Sequence, residues 1–261
     1  MKTKPEAGSR GKSKKLAAFD AYGAFCKTIM TTIASRLQAV NERIARATRA
    51  AGRLAQGVTL VAVSKTFPAS AISEAYTAGQ VDFGENYLQE GLEKVLALTR
   101  LNIRWHYIGP IQSNKTRPIA ENFSWVHGVD REKIAVRLSD ARPPDLQPLQ
   151  ICIQINVSGE QSKSGVPPEQ ALDLAVAIST LPRLQLRGLM AIPEPTTDVD
   201  LRHRRFRALS ALLDEFVRAG VALDTLSMGM SDDMEAAIAE GATMVRIGTA
   251  IFGERPPLRS T

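Results

Sequence analysis

The first place where residue types suggest chemistry is Lys65, which closes the run of apolar and small residues from Val58 to Ser64 and is followed by Thr66, Phe67 and Pro68. An amine held at the edge of an apolar core is desolvated, which lowers its pKa and suits it to condense with an aldehyde. Two further segments could receive an anion. Ser227-Met228-Gly229-Met230-Ser231-Asp232 runs from an apolar stretch into a helical pattern. Its glycine permits close backbone approach, and Ser231 is placed as an N-cap ahead of a helix start whose first N–H groups could meet a negative charge. Arg246-Ile247-Gly248-Thr249 is a second small, glycine-bearing segment after the last apolar run. Singly, Lys65 reads as a solvated lysine at a loop edge and the serine turn as a plain helix cap. Together the three point to a phosphate-bearing aldehyde.

Bringing residues 65, 227 and 246 to one place requires a scaffold, and the hydrophobic pattern supplies it. Apolar runs of strand length occur at Val58–Ser64, Val81–Gly84, Ile103–Ile108, Trp125–Val129, Leu149–Asn156, Leu184–Met190, Thr225–Met228 and Met244–Ile247. Helical stretches follow them, near Ala69–Ala78, Tyr87–Leu98, Ser113–Ala120, Arg131–Leu138, Pro168–Ser179, Leu201–Ala219 and Ser231–Glu240. Continuous apolar runs alternating with helices imply a parallel sheet buried on both faces, and eight such units predict a single-domain (β/α)8 TIM barrel. The competing open, doubly wound sheet lacks its G-x-G-x-x-G loop after the first strand. Ahead of the barrel, Ile33, Leu37, Val40, Ile44 and Ala47 recur at helical spacing and predict an additional amphipathic N-terminal helix over residues 31–53. Barrel active sites lie at the carboxyl ends of strands, and the loops after strands seven and eight often bind phosphate together. Lys65, Ser227–Asp232 and Arg246–Thr249 all fall at such ends, as do Glu85, Asn86, His106, His127 and Met190.

The 261 residues are 44% hydrophobic and only 5% aromatic, which suits layered aliphatic packing. The formal charge is +6, but residues 1–30 hold seven Lys or Arg against two acids and so account for five of the six charges. That basic segment predicts a disordered extension preceding a barrel domain over residues 31–261, with Met30 as an alternative start. Nucleic-acid binding is not expected of the folded body; an RNA- or partner-binding module using the extension is the reading from a different functional class. Cys26 and Cys152 lack metal-ligand spacing, and no metal is expected. The sequence shows no secretory signal and no apolar run long enough to cross a membrane, so a cytoplasmic protein is expected; the tail is basic and poor in acids, as a transit peptide is, but lacks a sustained amphipathic period.

The chain resembles the pyridoxal phosphate homeostasis protein family, single-domain relatives of the alanine racemase barrel. The resemblance runs from about Ile33 to Gly253. It rests on Val63-Ser64-Lys65-Thr66, Phe83-Gly84-Glu85-Asn86-Tyr87, Trp105 to Lys115, Ser162-Lys163-Ser164-Gly165, Arg187-Gly188-Leu189-Met190, Leu226 to Ser231 and Arg246-Ile247-Gly248-Thr249. The resemblance implies that Lys65 holds pyridoxal 5'-phosphate as a Schiff base. It also implies that Ser227, Gly229, Gly248 and Thr249 surround the phosphate, that Arg246 faces the pyridine nitrogen, that Asn86 lies on the cofactor's oxygen side and that Met190 lies near the ring. Glu85 and His106 are expected as supporting groups or structural polar residues, His127 as structural and His203 as exposed. A guanidinium beside the ring nitrogen opposes its protonation and makes the cofactor a poor electron sink. The family implies a carrier and buffer of the cofactor; PLP-dependent apoenzymes are the candidate recipients, and a monomer is expected. The alternative is an amino-acid racemase of low activity, which needs a second acid/base on the opposite face of the substrate carbon. In the two-domain relatives that group is a tyrosine of a separate domain.

Overall fold

The computed structural model describes Met1 and residues 32–54, 56–160 and 164–254. The basic extension with Tyr22, Cys26 and Met30, and Ser162-Lys163 of the motif above, lie outside the described residues. Residues 33–254, as far as they are described, belong to one compact unit.

Eight parallel strands close in sequence order into a barrel. They are β1 (Thr59–Val63), β2 (Asp82–Glu85), β3 (Arg104–Tyr107), β4 (Trp125–Val129), β5 (Leu149–Gln154), β6 (Leu184–Met190), β7 (Thr225–Ser227) and β8 (Met244–Ile247). Closure is made by β1 against β8, with Thr59 opposite Met244 and Ala62 opposite Ile247. The helices are α1 (Ile33–Ala50), α2 (Ala69–Thr77), α3 (Leu88–Ala97), α4 (Thr116–Asn122), α5 (Glu132–Ala141), α6 (Pro168–Ser179), α7 (Val199–Arg218), α8 (Met234–Ala239) and α9 (Thr249–Phe252). None among the described residues is long and apolar enough to cross a membrane.

Alternation along each strand separates an outer core from the barrel interior. Val61, Trp125, Cys152, Met190 and Met244 form a separate apolar cluster from the large core beneath the helices. Two strands break the alternation. Val126 and Val129 of β4 both belong to the outer core, as do Leu186 and Leu189 of β6, although a spacing of three should put them on opposite faces. The register shifts between these residues, so each strand contains a bulge. Both bulges contain a glycine pressed against a neighbouring backbone: a Cβ on Gly128 would lie 2.9 Å from the Gly109 carbonyl oxygen, and one on Gly188 would lie 1.8 Å from that of Thr225. The bulges hand His127 and Met190 to the interior.

The N-terminal helix α1 buries Ile33, Leu37, Val40, Ile44 and Thr48 against α8, α9 and α2. Thr48 takes the deep position where the spacing suggested Ala47, because its hydroxyl donates to the Ile44 carbonyl at 2.7 Å and leaves its methyl to pack. Further differences concern ends. Strand β5 stops at Gln154, since Ile155 forms only an isolated bridge with Val166. The helix expected from Ser113 starts as a 3-10 turn over Ser113–Lys115 before α4. Ser231 is not the N-cap of α8, which begins at Met234; Asp233 accepts the Met230 N–H at 2.5 Å and closes the intervening turn.

Candidate functional site

Lys65 lies in the turn between β1 and α2, half-buried, at the carboxyl end of the barrel. Phe67, two residues on, stacks on Phe252 of α9 with ring centroids 5.1 Å apart, which ties this turn to the segment after β8. Lys65, Asn86, Arg246, Gly248 and Thr249 line a single cavity of about 270 Å³, with Ser231 and Asp232 also on its wall. The loops after strands β1, β2, β7 and β8 therefore meet at one place, as their positions at strand ends require. Asp232 closes the Ser227–Asp232 segment that the sequence offers as anion-receiving, although the sequence assigns it no role of its own there.

The other three expected contacts are not among the residues that line this cavity. Met190 is in the inner apolar cluster, and Ser227 is fully buried. Gly229 has φ 95°, and a Cβ there would come within 2.6 Å of the Ala237 Cβ, so the position needs glycine for the turn to pack on α8. Its carbonyl accepts the Arg246 N–H at 2.9 Å, which joins the two loops.

Arg246 is the cation of the site. Its Nη1 donates to the Ser227 carbonyl at 2.6 Å and to Ser227 Oγ at 2.8 Å, while Nη2 donates to the Ala191 carbonyl at 2.9 Å. Burial pushes the guanidinium down to about 10, so it remains positive at neutral pH.

Beneath Arg246 a polar chain crosses the barrel interior. Ser227 Oγ lies 2.8 Å from His127 Nδ1, His127 Nε2 lies 3.0 Å from His106 Nδ1, and His106 Nε2 lies 3.0 Å from Asp82 Oδ1. Arg104 then holds Asp82 with two hydrogen bonds of 2.6 Å at the opposite end. One set of proton positions, assigned from the network, satisfies every link. Arg246 donates to Ser227, Ser227 to His127, His127 to His106 and His106 to the Asp82 carboxylate. Both imidazoles are neutral in this arrangement. Burial pushes both below the ordinary histidine value, His127 well below it, with the charge of Arg246 adding to the effect at His127. Burial opposes ionisation of Asp82 as well, but the hydrogen bonds from Arg104 and His106 prevail and hold its carboxyl below the usual range. His106 and His127 thus support Arg246 through Ser227. His203, expected to be exposed, is instead partly buried with Nδ1 2.8 Å from Glu240 Oε1, because α7 packs on α8.

Residues 36–256 match the alanine racemase N-terminal domain family. The chain is 60% identical over 226 residues to the pyridoxal phosphate homeostasis protein of Pseudomonas aeruginosa, covering 87% of this chain and 97% of that protein. It is 52% identical over 229 residues to the protein of the same name in Escherichia coli K12, covering 87% and 98%. Among solved structures, PipY of Synechococcus elongatus with PLP bound superposes with a TM-score of 0.74 at 36% identity, over 85% of this chain and all of that one. With this barrel and these relatives, the chain belongs to the pyridoxal phosphate homeostasis protein family.

Proposed function

We propose that this chain binds pyridoxal 5'-phosphate through Lys65 and acts as a carrier and buffer of that cofactor in the cytoplasm, limiting free aldehyde and supplying PLP-dependent apoenzymes, with indirect effects on amino-acid balance. The observation that carries this reading is the shared cavity: Lys65, Asn86, Ser231, Arg246 and Thr249, which bear an amine, an amide, a guanidinium and two hydroxyls, line one space of about 270 Å³. This donor set suits a small anionic aldehyde. The names of the relatives and the PLP-bound state of PipY support the same ligand.

Bound there, PLP supplies an aldehyde that condenses with an amine and releases water. In the proposal Lys65 provides the amine, and Gly248, Thr249 and Ser231 form the wall nearest to the phosphate. Ser227 and Gly229 act from behind by fixing Arg246 and the β7 loop, and Met190 supports the floor. Arg246 keeps a positive charge at the site, which opposes protonation of a basic ring nitrogen beside it and so favours holding the cofactor over carbanion chemistry.

The test of this role is transfer. Purified protein loaded with PLP is freed of excess ligand and mixed with a PLP-requiring apoenzyme. Return of that enzyme's activity at a rate above the control with equal free PLP supports a carrier; rapid, specific racemisation of a common amino acid by the loaded chain itself contradicts it.

A further inference from the structure

Lys94 is an interior lysine. On α3 the deeply buried positions are Gly91 and Lys94, three residues apart on the face that packs on the barrel. The Lys94 side chain is only 6% exposed, and its ammonium donates to Ser64 O at 2.8 Å, Glu85 Oε1 at 2.8 Å and Glu90 Oε1 at 2.6 Å. Ser64 Oγ also donates to Glu85 Oε1 at 2.6 Å. Glu90 Oε1 accepts the backbone N–H of Thr66 at 2.5 Å. The carbonyl immediately before Lys65 and the N–H immediately after it are therefore both held by one ion cluster.

The turn held in this way is unfavourable by itself. Thr66 has φ 70°, a left-handed conformation that a β-branched residue adopts at a cost. Among the described residues, Thr66 Oγ1 and Glu85 Oε2 are the buried side-chain atoms without a hydrogen-bond partner. Burial also raises the Glu85 carboxyl above its ordinary value despite the pull of Lys94. Strain and incomplete hydrogen bonding coincide beside the one lysine that lines the cavity among the described residues, and such features persist only where the surroundings enforce them.

We infer that Lys94 and Glu90 are positioning residues that clamp the two peptide groups flanking Lys65 and hold its turn in the left-handed kink that presents Lys65 at the cavity. The inference rests on Lys65 being the reactive amine. A looser turn leaves the ligand's other contacts in place but lets Lys65 spend less time in position to react, so binding and covalent capture separate.

The experiment compares wild type with Lys94→Met, Glu90→Leu and Glu90→Gln, each first checked for native circular dichroism and melting. Three quantities are read: hydrogen exchange at the Thr66 amide without ligand, equilibrium affinity for PLP, and the rate at which borohydride fixes PLP on Lys65. Loss of a hydrogen bond to a charged group predicts Thr66 exchange faster by about tenfold or more in Lys94→Met and Glu90→Leu, and Lys65 capture slowed to a similar degree. PLP affinity changes much less, and Glu90→Gln, which keeps an acceptor for the Thr66 N–H, restores both rates toward wild type. Folded variants with wild-type exchange and capture overturn the inference, as do exchange and capture rates that are equally poor in Glu90→Gln and Glu90→Leu. If Lys94→Met does not fold, the partly exposed Glu90 pair decides alone. Failure of wild type to capture PLP on Lys65 defeats the cofactor reading instead, and Thr66 exchange then still tests the clamp.

Discussion

Arg246 grips Ser227 twice, donating from one nitrogen to both its carbonyl oxygen and its hydroxyl, at 2.6 and 2.8 Å. The two residues belong to neighbouring strands β8 and β7, and this contact makes the floor of the cavity one unit with the histidine chain below. Ser227 has to accept from Arg246 and donate to His127 at the same time, which only a hydroxyl can do at this position.

Ser227→Ala removes that link. It leaves His127 Nδ1 without its donor and Arg246 with one acceptor fewer, among buried side chains. The expected loss is about 1–3 kcal/mol of stability, measured by urea unfolding, together with weaker PLP binding. A variant as stable as wild type would mean that the chain has reorganised around the gap.

The two interior histidines make stability depend on pH. Both have folded pKa values pushed below the ordinary one, so the unfolded chain binds protons that the folded chain refuses. Their contribution is complete above about pH 6.5 and declines as pH falls below it, by up to about 1.4 kcal/mol per pH unit for each histidine. Asp82, whose pKa is also lowered, adds a further loss only in the range of carboxylate titration, below about pH 4. Unfolding free energies measured between pH 8 and pH 5 should fall toward the acid side; a flat profile contradicts neutral, buried imidazoles.

Gly188→Ala should damage the barrel itself. The new methyl would meet the Thr225 carbonyl oxygen at 1.8 Å, a backbone atom that cannot rotate away. Separation of β6 from β7 is expected to cost about 3 kcal/mol or more, read as a lower urea midpoint. Gly220→Ala provides the control: with nothing within 4 Å of its Cβ, only its φ of 88° opposes the change.

Thr66→Gly should act in the opposite sense on stability. Glycine accepts the left-handed φ of 70° without penalty and removes a buried hydroxyl that has no partner. Gains of about 1 kcal/mol are expected after allowance for the greater freedom of glycine when unfolded, and a melting temperature well below wild type contradicts the assignment of strain to this residue.

The barrel was legible because β1, β4, β6 and β8 read as apolar runs whatever their register, and because helical stretches separate them at regular intervals. The meeting of Lys65, Asn86, Arg246, Gly248 and Thr249 followed from a rule about strand ends that needs no side-chain geometry. What sequence reading missed depended on register. The bulges at Gly128 and Gly188 are visible only as outer-face residues spaced by three, a signal too short to separate from ordinary alternation. Ser227 and Met190 are at strand ends, and their side chains are engaged in the barrel interior, with His127 and Arg246 and with the inner apolar cluster respectively. Lys94 was missed because it lies in mid-helix, away from every strand end. The available signal was a lysine three residues after Gly91 on the buried face of α3, paired at i−4 with Glu90.

The most direct measurement is the absorbance spectrum of the purified chain titrated with PLP, followed by borohydride reduction and peptide mapping, for wild type and Lys65→Ala. The account predicts a visible band that saturates with PLP and a reduced label on the peptide containing Lys65, with both absent from the variant. A wild-type chain that shows neither the band nor the label, or a Lys65→Ala chain that keeps both, contradicts it.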